Sequence, residues 1–551
     1  MRVRARSALL ALAAGVALAD GSIVTLGLPG ILNDLHTTVE GVAAVIGVYT
    51  VVLALSLLPL ERAASAFSVR AIGAAGLALM AIASVVCAIA GDLTVLLIGR
   101  GAQALGGAAG LVAVFAILGG GQGAGRRLWV GAAILGTAVG PALGGALTEV
   151  FSWQAIFVFQ APIAALAALA AVAGPAPEHL ALPARPEPLA WRPTLALGLV
   201  SAALSAVLFL LVLLLVAGWS VSPLGAAATV SAIPVAALAG TRVRGDARVR
   251  AAVGSALIAG GVLAIAWLPN ANVAWTIVPQ LFAGLGMGMA LTALAGELLP
   301  ENTAYDAART LAVRHAGIAV ALIALAPVVA HQLAAATEHA REQGVALVLD
   351  ARLDPQQKLA LAPALLRGVE EQDPRDGLLR AVAAERRRFS GPARAEFDRL
   401  GKRADETLVA GVANSFRGAF LITGALGLLA ALVVAPWPPP RRAAGALAVG
   451  AAIAVGAPLV FAILHHELAP EEVPILDACT AKRKLPGTGG LGGFLQDQAL
   501  RLLDTTACRY HASREELVLG LTNPADAKRF EERHGVDPRK IGGLLRALIG
   551  G

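Results

Sequence analysis

Long apolar runs separated by short polar segments dominate the sequence. Each run has about the length that a helix needs to cross a bilayer. The runs cover residues 8–31, 41–60, 71–92, 94–118, 128–149, 153–173, 195–217, 223–240, 251–269, 273–298, 312–335, 414–436 and 443–464. The pattern predicts an all-α integral membrane protein with twelve spans and one extra C-terminal transmembrane helix. The first run could also be read as a signal peptide with "ALA" before Asp20, but it continues far enough to span, so we expect it to remain a helix.

Three polar segments are longer than a turn. A Pro-rich linker covers residues 174–194, a polar insert covers 336–413, and a polar C-terminal domain covers 465–551. The insert spaces Phe397, Leu400, Leu408 and Val412 among charges, which predicts an amphipathic helix. In the C-terminal domain, Ser513 and Glu516 have the spacing of a helix-capping box. We expect both segments to be helical.

Arginine alternates from one side of the predicted membrane to the other. Arg2, Arg4 and Arg6 precede the first span, every second loop also carries Arg, and the intervening short loops carry neither Arg nor Lys. The positive-inside rule then places the N-terminus in the cytoplasm. The insert and the C-terminal domain would both be extracytoplasmic, where Cys479 and Cys508 could form a disulfide. The alternative is two free thiols on the inside, if the thirteenth run does not insert.

The composition excludes several functions. Hydrophobic residues make up 57% and charged residues 15% of the chain, with a net charge of +7. No basic face with stacking aromatics is present, so we expect no nucleic-acid partner. The sequence has no phosphate-cradling loop, catalytic constellation or metal-ligand pattern, which predicts a non-enzyme without cofactor or metal. The adjacent His465 and His466 fit an interfacial position better than a metal site, because neighbouring residues do not share a helix face.

Ionisable residues inside spans are rare and costly, and each is a functional candidate. Asp20 lies near the middle of the first span, where desolvation would favour its protonated form and suit it to proton coupling. The alternative is a structural Asp bonded to a neighbouring helix or to Arg100. Arg100 cannot be neutralised, so it must face a cavity or a partner, unless it snorkels to the outer interface. Candidates for cavity lining are Gln103, Gln160, Gln280 and Arg314; for Arg314, near a span end, an interfacial position is the alternative.

The stretch "GTAVGPALGG" interrupts a membrane helix with residues that a helix normally avoids. Gly136, Gly140 and Gly144 recur every four residues and share one face, and Gly145 follows. Small residues allow close helix approach in lipid, and Pro141 would bend the helix. Ordinary small-residue packing is the alternative to a functional interface.

This stretch looks like the antiporter motif of drug/proton antiporters in the major facilitator superfamily. "ADGSIVTLGLPGILNDL" in span one, "LLIGRGAQALGGAAG" in span four and "SWQAIFVFQAP" before span six also resemble that branch. The resemblance implies two six-helix bundles, formed by residues 1–173 and by 195–335 with 414–436. It further implies proton-coupled export of a small organic or drug-like compound across the plasma membrane by alternating access. Asp20 and Arg100 would then carry proton coupling, and residues 136–145 a tight helix interface.

The loop after span two departs from the family. "PLERAASAFSVRA" lacks the Asp and both Gly of the pattern thought to latch the two halves. This departure, with the long polar segments, leaves a second hypothesis. The chain could be a non-transporting, transporter-like scaffold that binds an extracytoplasmic protein partner or acts as a membrane sensor.

Overall fold

The computed structural model describes the chain except residues 1, 181–189, 355, 359–360, 362–364, 366–373, 440, 481–482, 484, 489 and 541–551. Parts of the expected linker, of the insert and of the C-terminal domain therefore lie outside the described residues. Within the described part every regular element is a helix. The chain divides into a membrane unit (Met1–Ala217, Val221–His331 and Phe416–Leu468) and a polar unit (Gly218–Ser220, Gln332–Ser415 and Ala469–Gly551).

The membrane unit confirms the predicted series of spans. Among the described residues, twelve helices are long and apolar enough to cross a membrane, or thirteen if one bent helix is a single span. Up to His331 the helices of this unit are α1 (Arg2–Thr25), α2 (Leu28–Asp34), α3 (Val39–Ala66), α4 (Val69–Ala88), α5 (Leu93–Leu118), α6 (Gly123–Val150), α7 (Gln154–Val172), α8 (Trp191–Leu213), α9 (Pro223–Val230), α10 (Ala232–Gly240), α11 (Ala247–Ile265), α12 (Ala274–Ala293) and the first part of α13 (Ala304–Asp350).

The first span is broken, where the sequence predicts one continuous run over 8–31. Helix α1 ends at Thr25 and α2 begins at Leu28 with Pro29 in its first turn. A Cβ at Gly27 would lie 2.9 Å from Ile156 Cδ1 and 3.2 Å from Trp153 Cβ, so a larger residue here would require these side chains to shift. Proline lacks the N–H that would continue α1, which explains why the break falls here.

Two corresponding glycine contacts relate the two halves of the membrane unit. In the first half, a Cβ at Gly106 of α5 would lie 2.5 Å from the carbonyl oxygen of Gly76 in α4. In the second half, a Cβ at Gly286 of α12 would lie 2.3 Å from the carbonyl oxygen of Gly254 in α11. Because small residues let membrane helices approach closely, the third and fourth spans of each half pack through the same kind of contact.

The extra C-terminal membrane helix is α16 (Ala444–Leu468), which follows α15 (Gly391–Val434). Helix α16 packs along α11, where a Cβ at Gly260 would lie 2.7 Å from the carbonyl oxygen of Ile453. At its end, His465 Nδ1 donates to the Leu268 carbonyl at 2.8 Å. The thirteenth apolar run is therefore a helix docked on the second half of the membrane unit.

The polar unit joins the insert and the C-terminal residues. Its helices are the second part of α13, α14 (Pro374–Glu385), the first part of α15, α17 (Gly490–Arg509), α18 (Arg514–Thr522) and α19 (Pro524–His534). Phe397, Leu400 and Leu408 are buried in its core, as the amphipathic pattern predicts. Arg341 of the insert forms a buried bidentate pair with Asp526, at 3.0 and 2.6 Å. These contacts make the two distant segments one folded body.

Two local features of the polar unit correspond to expectations from the sequence. The Ser513 side chain accepts a hydrogen bond from the Glu516 backbone N–H and caps α18. Cys479 and Cys508 are joined by a disulfide, with their Cα atoms 4.7 Å apart. The disulfide fastens the segment that follows α16 to the end of α17.

Candidate functional site: a buried polar network beside a cavity

Asp20 and Arg100 form a buried ion pair in the first half of the membrane unit. Arg100 donates from both terminal nitrogens to Asp20, at 2.9 Å to Oδ1 and 2.5 Å to Oδ2. Its Nε donates to the Val45 carbonyl at 3.1 Å, so the guanidinium also contacts α3. Both charged side chains have no solvent exposure. Asp20 therefore has the bonded arrangement that the sequence left open as the alternative to a lone carboxyl.

Two glutamines complete a closed network around this pair. Gln103, one turn after Arg100 on α5, accepts from Arg100 at 2.5 Å and donates to Gln160 Oε1 at 2.6 Å. Gln160 of α7 donates in turn to Asp20 Oδ1 at 3.1 Å. Gln103 also donates to Ser84 of α4 at 2.9 Å. The network thus joins α1, α4, α5 and α7 through polar atoms that face one another.

Aromatic rings enclose the Arg100 guanidinium. Its central carbon lies 4.4 Å from the centroid of the Tyr49 ring and 5.7 Å from that of Phe157. The Tyr49 hydroxyl donates to the Ala17 carbonyl at 2.9 Å, which fixes the ring between α1 and α3. A ring face attracts a cation without adding a competing charge. Tyr49 and Ser84 were not candidates from the sequence; their only signal is that each is a polar residue within an apolar run.

This arrangement can do proton chemistry because its charges are balanced only while Asp20 is ionised. A buried ion pair is held together by mutual attraction, and removing the charge of one partner costs about 3–5 kcal/mol. Protonation of Asp20 would leave Arg100 with uncompensated charge inside a membrane protein. The ionised Asp20 carboxylate therefore compensates the Arg100 charge in this packing of the helices.

The glycine stretch lies in α6 and packs against α1, the helix that carries Asp20. A Cβ at Gly136 would lie 2.4 Å from the Gly15 carbonyl oxygen, and one at Gly144 would lie 2.2 Å from the Ile23 carbonyl oxygen. Both contacts are with α1. A Cβ at Gly140 would lie 2.1 Å from Ser22 Oγ, on the same helix.

The end of the stretch reaches into the second half of the membrane unit. A Cβ at Gly145 would lie 2.3 Å from Ala227 Cβ and 2.8 Å from the Pro223 carbonyl oxygen, both in α9. Helix α6 bends by 47° between Ile134 and Val139. This bend falls within the turn before Pro141, whose ring removes the hydrogen bond to that turn.

Two neighbouring cavities lie between the halves of the membrane unit. The smaller has a volume of about 130 Å³ and is lined in part by Tyr49 and His315. The larger has a volume of about 330 Å³ and is lined in part by Trp129 and Glu301. Leu18, Pro234, Met287, Leu291 and Arg314 line both. Because Tyr49 contacts Arg100 on one side and the cavity on the other, the polar network adjoins this space.

The four cavity-lining candidates lie in different surroundings. Arg314 lines both cavities. Gln103 and Gln160 are fully buried in the polar network, and Gln280 is fully buried in α12, where it donates to Thr276 at 2.9 Å. The spacing of the sequence could not separate a cavity position from a network position, because both are polar residues in apolar runs.

Glu301 was not a candidate from the sequence. It follows the end of one membrane helix, where a carboxylate looks interfacial, but its Oε2 accepts from Trp129 Nε1 at 2.9 Å. Burial raises the pKa of the Glu301 carboxyl, while Trp129 and the charge of Arg314 act in the opposite direction. The only sequence signal was a Trp two residues after a pair of Arg at the start of α6.

The sequence model of the Major Facilitator Superfamily matches residues 10–336, more than half of the chain. The chain belongs to this superfamily. The match covers the polar network, the glycine stretch and both cavities, so these features lie in the shared transporter fold. Membership also confirms that the chain is of a transporter class and not an enzyme class.

Relatives of this chain have names that refer to drug resistance, export or transport. It is 30% identical over 178 residues to the tetracenomycin C resistance and export protein of Streptomyces glaucescens, covering 31% of this chain and 33% of that protein. It is 29% identical over 153 residues to the multidrug resistance protein Stp of Mycobacterium tuberculosis (27% and 28% covered). It is also 29% identical over 172 residues to the uncharacterized transporter YebQ of Escherichia coli (30% and 38% covered). The matches thus span about a third of the length of these relatives.

A solved structure supports the fold. A bacterial homolog of the human lysosomal transporter Spinster, in an inward-facing and occupied conformation, has a TM-score of 0.54 at 16% identity. The alignment covers 79% of this chain and 96% of that one. The likeness confirms the major facilitator fold that the sequence motifs imply.

Proposed function

We propose that this protein is a secondary active transporter that exports a small organic compound in exchange for protons. The observation that carries the proposal is the bidentate Asp20–Arg100 pair, fully buried beside a cavity between the two halves. The names of two relatives, one referring to multidrug resistance and the other to resistance and export, support the direction and the kind of cargo.

Asp20 is the proton carrier in this proposal. In the ionised state it holds Arg100 and, through Gln160, ties α1 to α5 and α7. On protonation the carboxyl loses its attraction for the guanidinium, and Arg100 keeps the Val45 carbonyl and Gln103 as partners. Because a buried charge needs compensation, the helices shift to a packing that solvates or re-pairs Arg100. One proton is thereby linked to a change of conformation.

The glycine interface transmits this shift. Helix α1 carries Asp20 and is in backbone contact with α6 at Gly136 and Gly144, so the two helices move together. Helix α6 in turn contacts α9 of the second half at Gly145. Rocking of the two halves about such contacts opens the central cavity alternately to each side, which is how transporters with repeated halves work.

We further propose a plasma-membrane location with a cytoplasmic N-terminus and an extracytoplasmic polar unit. The alternation of Arg between loops supports the orientation, and the Cys479–Cys508 disulfide fits an oxidising compartment. A C-terminal alkaline phosphatase fusion, which is active only outside the cytoplasm, tests this. Activity is expected, and an inactive but full-length fusion would contradict the orientation.

Flux measurements in reconstituted vesicles test proton coupling. We would compare wild type with Asp20→Asn, using a panel of antibiotics, lipophilic cations and apolar carboxylates. Two modes are measured: accumulation driven by a proton gradient, and exchange of labelled for unlabelled substrate without a gradient. For Asp20→Asn we expect gradient-driven accumulation to be lost while exchange continues, because exchange needs no net proton movement.

The matched control is Asp92→Asn. Asp92 is an exposed carboxylate that caps the start of α5 by accepting from the Val95 N–H. Asn caps a helix equally well, so this variant removes a charge at the start of the helix that carries Arg100 without disturbing the network. Loss of both transport modes in folded Asp20→Asn would assign Asp20 a structural role. Absence of flux from folded wild type would favour the scaffold hypothesis.

A further inference from the structure

The Arg314 guanidinium lies where the two cavities meet. Its Nε is buried without a hydrogen-bond acceptor. Within the described part of the chain, the Arg314 side chain makes neither a hydrogen bond nor an ion pair. This contrasts with Arg100, whose charge is compensated by Asp20 at hydrogen-bond distance. The cavity wall thus presents one positive charge that the protein itself does not neutralise by contact.

The charged groups near Arg314 form no ion pair with it among the described residues. Glu301 lines the larger cavity and its charge acts on Arg314, but its carboxyl accepts a hydrogen bond from Trp129 and makes none with Arg314. Arg126, which lines the same cavity, adds a second positive charge and contacts the Gly296 carbonyl. His315 lines the smaller cavity, and its Nδ1 donates to the Leu311 carbonyl at 2.8 Å. The charged groups around the cavities are therefore more basic than acidic.

The rest of the lining is mostly apolar and offers one unused hydroxyl. Leu18, Met287 and Leu291 are shared by both cavities, and the larger one has the volume of a small-molecule pocket. Ser201 lines the smaller cavity, and its Oγ is buried without a partner. A guanidinium and a hydroxyl are donors, so together they suit an acceptor group on the bound compound.

We propose that the transported compound is an apolar organic anion, whose carboxylate is bound by Arg314 and whose apolar body fills the larger cavity. Guanidinium and carboxylate match in charge and in geometry, and their hydrogen bonds are among the strong ones in proteins. Because the charge of Arg100 is already compensated by Asp20, Arg314 is the cation that compensates the charge of the bound anion. The inference rests on the proposed function, since it names the class of compound exported through the same cavity.

Equilibrium dialysis with the purified full-length chain in detergent tests the inference without any transport step. Three probes share one apolar body: 1-naphthaleneacetate, its uncharged amide, and naphthylmethyl-trimethylammonium. Wild type is expected to bind the carboxylate about tenfold or more tightly than the amide, because a charge-assisted hydrogen bond is lost with the amide. The cation is expected to bind most weakly, since it meets Arg314 and Arg126.

Two variants and one control locate the effect. Arg314→Gln is expected to abolish the preference for carboxylate over amide, and Arg314→Lys to retain part of it. Arg127→Gln is the matched control, because Arg127 is the exposed neighbour of the cavity-lining Arg126. It is expected to bind all three probes like wild type.

The outcomes separate this inference from the proposed function. Equal binding of the three probes by wild type, or an unchanged preference in folded Arg314→Gln, would overturn the inference even if gradient-driven flux persists. Arg314-dependent binding of the carboxylate without any proton-driven flux would support the inference and overturn proton coupling instead.

Discussion

The contact between α1 and α6 can be tested by adding a single methyl group. In Gly144→Ala the new Cβ would lie 2.2 Å from the Ile23 carbonyl oxygen and 3.0 Å from its carbon. Both atoms belong to backbone, so neither can rotate away, and the helices must separate by about 1 Å to reach ordinary contact. Overpacking of this kind costs about 1–3 kcal/mol.

The chain supplies an internal control in the same helix. Gly131 also lies in α6, and a Cβ there would meet nothing within 4 Å. Both substitutions replace a helical Gly by Ala, so their gain in helix propensity is the same and cancels when the two variants are compared. The remaining difference in stability measures the close approach to α1. Gly144→Ala is expected to be less stable than Gly131→Ala by about 1–3 kcal/mol.

Thermal unfolding in detergent, followed by tryptophan fluorescence, measures this difference. Ile23 lies three residues after Asp20, so separation of the helices should also displace the carboxyl and reduce gradient-driven flux in Gly144→Ala. Equal stability and equal flux of the two variants would refute the tight interface, and the glycines would then be ordinary small residues in a membrane helix.

Two further predictions concern the polar unit. The Cys479–Cys508 disulfide closes a loop of 29 residues. Its reduction should lower the free energy of unfolding of this unit by about 3–4 kcal/mol, because the unfolded chain regains conformational entropy. The stability of a Cys479→Ser, Cys508→Ser double variant should not change with reductant, and the same insensitivity in wild type would contradict the prediction. Burial lowers the pKa of Lys358 from 10.5 to about 8. The folded state therefore binds this proton less tightly than the unfolded state, and the resulting cost is present below pH 8 and is relieved as pH rises towards 10.5. The Tm of wild type should therefore rise relative to the Tm of Lys358→Met between pH 7 and pH 10. A difference in Tm that stays constant with pH would show that Lys358 is not buried.

The periodicity of the sequence predicts the membrane helices well, because a bilayer requires long apolar runs whatever their neighbours are. It predicts the break in the first span less well. Pro29 is visible in the sequence, but the crowding of Gly27 by Ile156 depends on a helix more than a hundred residues away. The length of an apolar run does not predict such a contact.

The sequence predicted most of the polar residues of the network but not which of them bond to one another. Asp20, Arg100, Gln103 and Gln160 stand out as polar residues in apolar runs, yet the sequence left open whether Asp20 is alone or bonded. The hydrogen bond between Gln160 and Asp20 joins residues 140 positions apart. The packing of α1 against α5 and α7 brings these two side chains within hydrogen-bond distance, and the sequence does not show this packing.

Glu301 and the polar unit show the same limit. A carboxylate at a span end looks interfacial until Trp129, 172 residues earlier, is placed beside it. Likewise, Arg341 and Asp526 belong to segments that the sequence separates by two membrane spans, and their buried pairing joins both segments in one body. A single charged residue that pairs with one distant partner leaves no repeating pattern in its own segment, so periodicity cannot reveal the pair.

Proton movement driven by the substrate is the most direct test of the central claim that Asp20 couples transport to protons. Vesicles containing the protein and a pH-sensitive dye would be loaded with a compound that the protein exchanges, and then diluted so that the compound flows outward. Exchange for protons predicts acidification of the lumen with wild type and Asp92→Asn, beyond that of protein-free vesicles, and none with Asp20→Asn. Outward flux without acidification in wild type, or equal acidification with Asp20→Asn, would contradict the account.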